Sequence, residues 1–179
     1  MSGSIDKRQH AVKLRPAGKT AVKTAGVELE RTPAAGILSW LVVQVMQLNG
    51  LLTAAGDALA APAGQTSARW QVLAAVEEEP LSVAQIARAM NLTRQSVQRV
   101  ADLLEGDGLT VYEDNPAHAR AKLLRLTPKG RKALQTIQAG QKVWANALAA
   151  GMDEAQLRAA SAVLAQLHQA LLAREPPAD

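Results

Sequence analysis

The stretch LSVAQIARAMNLTRQSVQRVADLLEGDGLT, residues Leu81 to Thr110, decides the fold, together with DNPAHARAKLLRLTPKG, Asp114 to Gly130. Ser82-Val83-Ala84-Gln85 has the spacing of a capping box, in which a hydroxyl accepts from the amide three residues on and a glutamine reaches back. It opens a short helix to about Met90, with Val83, Ile86 and Ala87 inward. Asn91-Leu92 turns the chain, and Thr93 is placed to cap a second helix from Arg94 to Glu105. In that helix Val97, Val100, Ala101 and Leu104 fall on one face, and Arg94, Gln95, Gln98, Arg99 and Asp102 on the other. Two short helices across such a turn are a helix-turn-helix.

After Gly106-Asp107-Gly108 the period changes. Leu109–Glu113 alternates as a strand does, Lys122–Leu126 forms a second strand, and Asn115–Ala121 is the tip between them. A hairpin after a helix-turn-helix makes a winged helix. Thr127-Pro128 then supplies an N-cap with proline at the first helical position, launching a helix to about Ala149. Gly151 breaks it, and Asp153 with Gln156 reads as another capping box for a last helix to about Arg174.

On the N-terminal side, Ser67–Glu79 reads as a helix with Trp70, Leu73, Ala74 and Val76 inward, ending before Pro80. Before it, a long helix is expected from Pro33 to about Ala60, with Thr32 as cap. Ile37, Leu41, Val45, Leu48 and Leu52 recur at helical spacing, and Val42, Val43 and Met46 widen the stripe. So broad an apolar face predicts burial against a second copy of the chain. The fold class is therefore mostly α: a winged helix-turn-helix over about 66–127 with a two-stranded β-wing, and long helices at about 33–60 and 128–174 forming a dimerisation region. The domain as a whole spans 32–179.

Composition agrees. Hydrophobic residues make up 48% but aromatics only 2%, and phenylalanine is absent, so Ala, Leu and Val must fill the core, which suits packed helices. With no cysteine, disulfides and thiolate metal sites are excluded. His10, His118 and His168 show no HxxxH or HExxH spacing, so no metal and no cofactor is expected. No nucleophile elbow, phosphate loop or paired-carboxylate pattern is present, so no catalytic residue is assigned. Glu77-Glu78-Glu79 reads as a solvated face. The N-terminus lacks the apolar core of a signal peptide. The longest apolar stretch, Ile37 to Val45, is interrupted by Gln44 and falls well short of the ~20 residues of a membrane span. These features predict a soluble, cytoplasmic protein without a membrane partner.

The charge is local. Residues 1–31 carry seven cations against three anions and show no apolar period, which reads as a disordered basic tail. Residues 88–132 carry nine cations against five anions, the footprint of a surface that meets phosphates. Within it, Thr93, Arg94, Gln95, Ser96, Gln98 and Arg99 form the candidate DNA-reading helix, since arginine pairs with guanine O6/N7 and glutamine with adenine N6/N7 in the major groove. Arg120 at the hairpin tip is suited to the minor groove, with His118, Lys122 and Arg125 near it as candidate phosphate contacts. Trp40 and Trp70 are the candidate lining of a pocket for a flat ligand, with Trp144 further off. A winged helix that docks a protein partner and does not bind DNA is the alternative.

The two quoted stretches, and most specifically Arg120 followed by Leu126-Thr127-Pro128-Lys129-Gly130, resemble the MarR family of bacterial regulators over roughly 35–175. The resemblance implies a homodimer joined by its first and last two long helices, bound to a pseudo-palindromic double-stranded operator. It also implies repression, relieved when a small, often aromatic, effector enters a crevice beside the DNA-binding part. The family's wing usually has Asp two residues before the Arg. Here that position is His118, so an acidic partner for Arg120 is missing and Glu113 or Asp114 would have to replace it.

Overall fold

The computed structural model describes residues 23–24, 27–28, 30–118 and 120–174. The chain divides into two compact units, residues 1–50 and 51–179. In the first unit, Lys23–Thr24 (β1) and Val27–Glu28 (β2) pair antiparallel, Lys23 opposite Glu28. This short pairing falls inside the stretch that composition assigns to a structureless tail; residues 1–22 of that tail lie outside the described residues. Helix α1, Pro33–Ala60, begins where expected. The Thr32 hydroxyl accepts from the Ala35 amide at 3.2 Å, and the proline has no N–H to lose at the first turn.

The Pro33–Gly50 part of α1 leaves its apolar stripe uncovered: Ile37 is 72% and Met46 71% exposed. By length and composition α1 with the turn after it, Pro33–Ala63, is long and apolar enough to cross a membrane, which the short stretch Ile37 to Val45 alone does not suggest. Gln44, Gln47 and Asn49 interrupt its apolar residues but carry no charge. A helix meant for a protein–protein seam has the same composition.

In the second unit, α1 ends by burying Gly56 and Ala60. A Cβ on Gly56 would lie 2.7 Å from the Ser67 hydroxyl, so the missing side chain lets the next helix begin close by. The Asp57 carboxylate accepts from the Ser67 amide at 2.7 Å, giving that helix an anion at its positive end. A 3₁₀ turn, Ala61–Ala63, and Gly64 at φ 68° separate the two. Helix α2 is Ser67–Ala75, four residues shorter than expected. Glu77 leaves the helix and accepts from the Gln138 amide at 2.7 Å, so one carboxylate of the acidic run has a partner. Val72, Leu73 and Val76 are buried, whereas Ala74 is exposed.

Leu81–Ser82 (β3) runs into α3, Val83–Ala89, whose capping box is complete. The Gln85 amide donates to the Ser82 hydroxyl and the Ser82 amide donates to the Gln85 carbonyl oxygen at 2.8 Å. Asn91 at φ 51° makes the turn, a left-handed conformation that asparagine tolerates. Helix α4, Arg94–Gly106, follows. Strands β4, Thr110–Glu113, and β5, Leu123–Leu126, form the wing. The sheet is three-stranded, in order β3-β5-β4, because Leu81 and Ser82 pair with Leu124 and Leu123. The expected two-stranded wing thus gains a strand from the segment read only as a helix cap.

The core is aliphatic, as composition requires. Ile86 and Ala87 of α3, Val97, Ala101 and Leu104 of α4, Leu124 and Leu126 of β5, and Leu134 of α5 (Pro128–Ala149) join the α2 residues in one cluster. Its rigid corner lies where β4 meets α5. The Leu109 amide donates to the Leu104 carbonyl at 2.9 Å, and the Leu109 carbonyl accepts from the Thr127 amide at 3.1 Å. The Thr127 hydroxyl also accepts from the Gly130 amide at 3.1 Å. Helix α6, Glu154–Leu172, is capped by Asp153, which accepts from the Gln156 amide at 2.9 Å, and buries none of its residues.

A Cβ on Gly130 would sit 1.9 Å from the Leu109 carbonyl oxygen, backbone that cannot move aside. Gly130→Ala should therefore destabilise the fold by at least ~1–3 kcal/mol in urea unfolding. Gly140→Ala is the control, because its Cβ would meet only Leu59 at an ordinary 3.7 Å; it should be neutral or stabilise by up to ~1 kcal/mol. Equal midpoints for the two variants would refute this packing.

Candidate nucleic-acid interface

The residues singled out by sequence are set by three elements. Thr93 caps α4: its hydroxyl accepts from the Ser96 amide at 3.1 Å, and the Ser96 hydroxyl donates to the Thr93 carbonyl at 2.9 Å. Val97, Ala101 and Leu104 hold the opposite face in the core. Arg94, Gln95, Gln98 and Arg99 therefore stand exposed. The first turn of α4 contains no acidic residue, so neither Arg94 nor the positive end of the helix dipole is offset there.

The wing brings its cations to the same place. Arg94, Gln95 and Gln98 of α4 share an open cavity of about 570 Å³ with Arg120 and Lys122 of the wing. Thr93, Ser96, Arg99 and His118 are exposed but do not line it. Ser82, Val83 and Ala84 line it too; sequence reasoning used them only for capping and core. At the wing tip the His118 amide donates to the Asn115 carbonyl at 3.1 Å and its carbonyl accepts from the Ala121 amide at 3.0 Å. Ala119 lies outside the described residues.

Two arginines that look alike in the sequence behave differently. The Arg125 guanidinium pairs with Glu113 on the facing strand and so cross-links the wing. Glu113 is thereby engaged and is not the partner of Arg120. Among the described residues Arg120 takes part in no ion pair. Asp107 is likewise neutralised: Arg69 of α2 pairs with it and, chiefly through that hydrogen bond, holds its carboxyl below the usual range.

A third cluster was not foreseen. The Gln98 side-chain nitrogen donates to Asp102 Oδ1 at 2.7 Å and lies 2.8 Å from the Tyr112 hydroxyl, which itself donates to Asp102 Oδ1 at 2.8 Å. Gln98 and Asp102 are one helical turn apart, but Tyr112 comes from β4, a pairing that no local spacing announces. Burial first, and then the Asp102 carboxylate, push the Tyr112 phenol up to about 12.

A separate cleft of about 600 Å³ in the second unit is lined by Leu52, Leu59, Trp70, Met90 and Trp144 among others. The lining tryptophans are Trp70 and Trp144, the latter expected to be further off. Trp40 belongs to residues 1–50 and is 46% exposed.

Residues 63–121 match the sequence profile of the MarR family. An uncharacterized protein of Mycobacterium tuberculosis is 43% identical over 136 residues, which cover 76% of this chain and 95% of the relative. The crystal structure of a MarR family transcription regulator superposes with TM-score 0.66 at 25% identity, covering 80% of this chain and 99% of that one. The Mycobacterium tuberculosis transcriptional regulator MOSR, solved in complex with DNA, superposes with TM-score 0.61 at 25% identity, covering 73% and 96%.

Tyr112 is the only tyrosine, so its titration can be read directly. The neutral phenol is favoured in the folded state. Its contribution to stability is therefore complete below the ordinary value of 10.0 and is lost as pH rises from there towards about 12. Phenolate absorbance should rise well above pH 10.0 in the folded protein, and earlier in Asp102→Asn. A midpoint at the ordinary value in folded wild type would contradict the Gln98–Asp102–Tyr112 geometry.

Proposed function

The chain belongs to the MarR family, and from that premise we propose that it is a homodimeric repressor that binds a pseudo-palindromic double-stranded operator. One observation carries this reading: Arg94, Gln95 and Gln98 surround a single open cavity with Arg120 and Lys122. The α4 side chains are of the types that address base edges in a major groove of ~12 Å width. Arg120, without an ion-pair partner among the described residues, can enter an adjacent minor groove, where the negative potential is strongest. His118 and Lys122 flank it at the phosphates. The family's regulators are DNA-binding proteins and not enzymes, and no catalytic residue is assigned to this chain.

Dimerisation has its own support. No residue of α6 is buried; Leu171 is 62% and Leu172 57% exposed, and Val143 of α5 is 71% exposed. Contiguous apolar helices of this kind are covered in a soluble protein, and a second copy, more than lipid, would also cover the stripe of α1. Two-fold symmetry then places the half-sites ~34–36 Å apart. A soluble cytoplasmic location accords with this role. The cleft between Trp70 and Trp144 is of a size and lining suited to a small aromatic effector.

On a duplex selected from random sequence, Arg120→Ala should weaken binding by ~1–3 kcal/mol in a mobility-shift titration. For wild type, log K should fall steeply and nearly linearly with log salt. Parental affinity in the variant, or binding indifferent to salt, would refute the interface. Replacing Leu164 and Leu171 of α6 together by Glu should yield monomers in sedimentation with α4 and the wing still folded; dimers of undiminished stability would remove α6 from the seam.

A further inference from the structure

We propose that Asp102 and Tyr112 act as positioning residues that fix the Gln98 side chain with its carbonyl oxygen towards DNA, so that Gln98 selects the base that offers a hydrogen-bond donor in the major groove. The inference rests on the DNA-binding reading above and changes what Gln98 reads. A free glutamine can both donate and accept, which gives the bidentate adenine contact expected from sequence. This glutamine is not free. An ionised carboxylate can only accept, so the group facing Asp102 Oδ1 at 2.7 Å must be the Gln98 nitrogen. The Tyr112 hydroxyl, 2.8 Å from both, donates to the same carboxylate oxygen and so presents a lone pair, not its proton, to that nitrogen. Turning the amide over would put a carbonyl oxygen against a carboxylate, two acceptors without a proton between them.

What remains for a ligand is Oε1, an acceptor, on the side chain that lines the cavity with Arg94, Gln95 and Arg120. Adenine N6 and cytosine N4 are the major-groove donors. Guanine O6 and thymine O4 at that place would confront Oε1 with another acceptor. The clamp has a second consequence. Asp102 is exposed on the reading helix, where a bare carboxylate would repel phosphate; the Gln98 and Tyr112 donors solvate its Oδ1 and hold it beside the wing.

The test is selection of bound duplexes from a random pool by wild type, Gln98→Ala, Asp102→Asn and Tyr112→Phe, with helical content checked by circular dichroism. Asp102 is exposed and Tyr112→Phe keeps the ring, so both variants retain the core contacts. Gln98→Ala identifies the half-site position that Gln98 reads, as the one whose preference flattens. At that position wild type should favour A or C on the contacted strand over G or T by about tenfold. Asp102→Asn and Tyr112→Phe should each bring the ratio towards parity while the other positions keep theirs. A merely structural role would lower affinity at every position alike. A wild-type preference for G or T there, a preference unchanged in both variants, or no position that depends on Gln98 would overturn the proposal while leaving DNA binding intact. Failure of wild type to enrich any sequence would instead refute the DNA-binding reading, and this proposal with it.

Discussion

The arrangement depends on one backbone oxygen. The Leu109 carbonyl accepts from the Thr127 amide, while the Leu109 amide donates to Leu104 at the end of α4. Only a glycine at 130 lets α5 start close enough to complete the corner. That corner ties the last turn of α4, the residue before β4 and the first turn of α5 together. The cavity depends on it, because this junction, together with the Gln98–Asp102–Tyr112 contact, holds Arg94 and Gln98 of α4 in register with Arg120 and Lys122 of the wing. The energetic logic is that of any preorganised site: charges placed before the ligand arrives cost less to order when it does.

Ion pairing sorts the cations around that corner into two kinds. Arg69 and Arg125 are spent on Asp107 and Glu113; they shape the winged helix and leave its field to others. Arg94, Arg120 and Lys122 keep their charge for the cavity. Exposed pairs of this sort add little to stability, so their effect is to decide which cations remain available. With His118 where the family's wing usually has an acid, Arg120 has no ion-pair partner among the described residues.

Much of this was legible in the sequence where the determinant is local. Thr32-Pro33, the Ser82–Gln85 box, Thr93 and Thr127-Pro128 each mark a helix start within one turn, and α1, α3, α4 and α5 begin there. The aliphatic face Val97, Ala101 and Leu104 follows from a period of 3.6. What was not legible depends on partners distant in sequence. Helix α2 ends at Ala75, with Glu77 just beyond it accepting from the Gln138 side chain of α5, and Leu81–Ser82 forms a strand with β5 beside it. Arg125 and Arg120 are alike in the sequence, and only the hairpin pairing sets Glu113 against Arg125. Gln98 looked like an unconstrained reader because Tyr112, fourteen residues on, reaches it only through the wing. Trp144, not foreseen as a neighbour, meets Trp70 at the same cleft.

The central claim is that α4 and the wing address one duplex together, in adjacent grooves. Footprinting on the selected duplex tests it most directly: methylation of guanine N7 reports the major groove, and hydroxyl-radical cleavage the minor groove. Wild-type protein should protect two major-groove windows about one helical turn apart, each with a neighbouring minor-groove window, and Arg120→Ala should lose only the latter. Loss of both windows together, or of neither, would contradict the account.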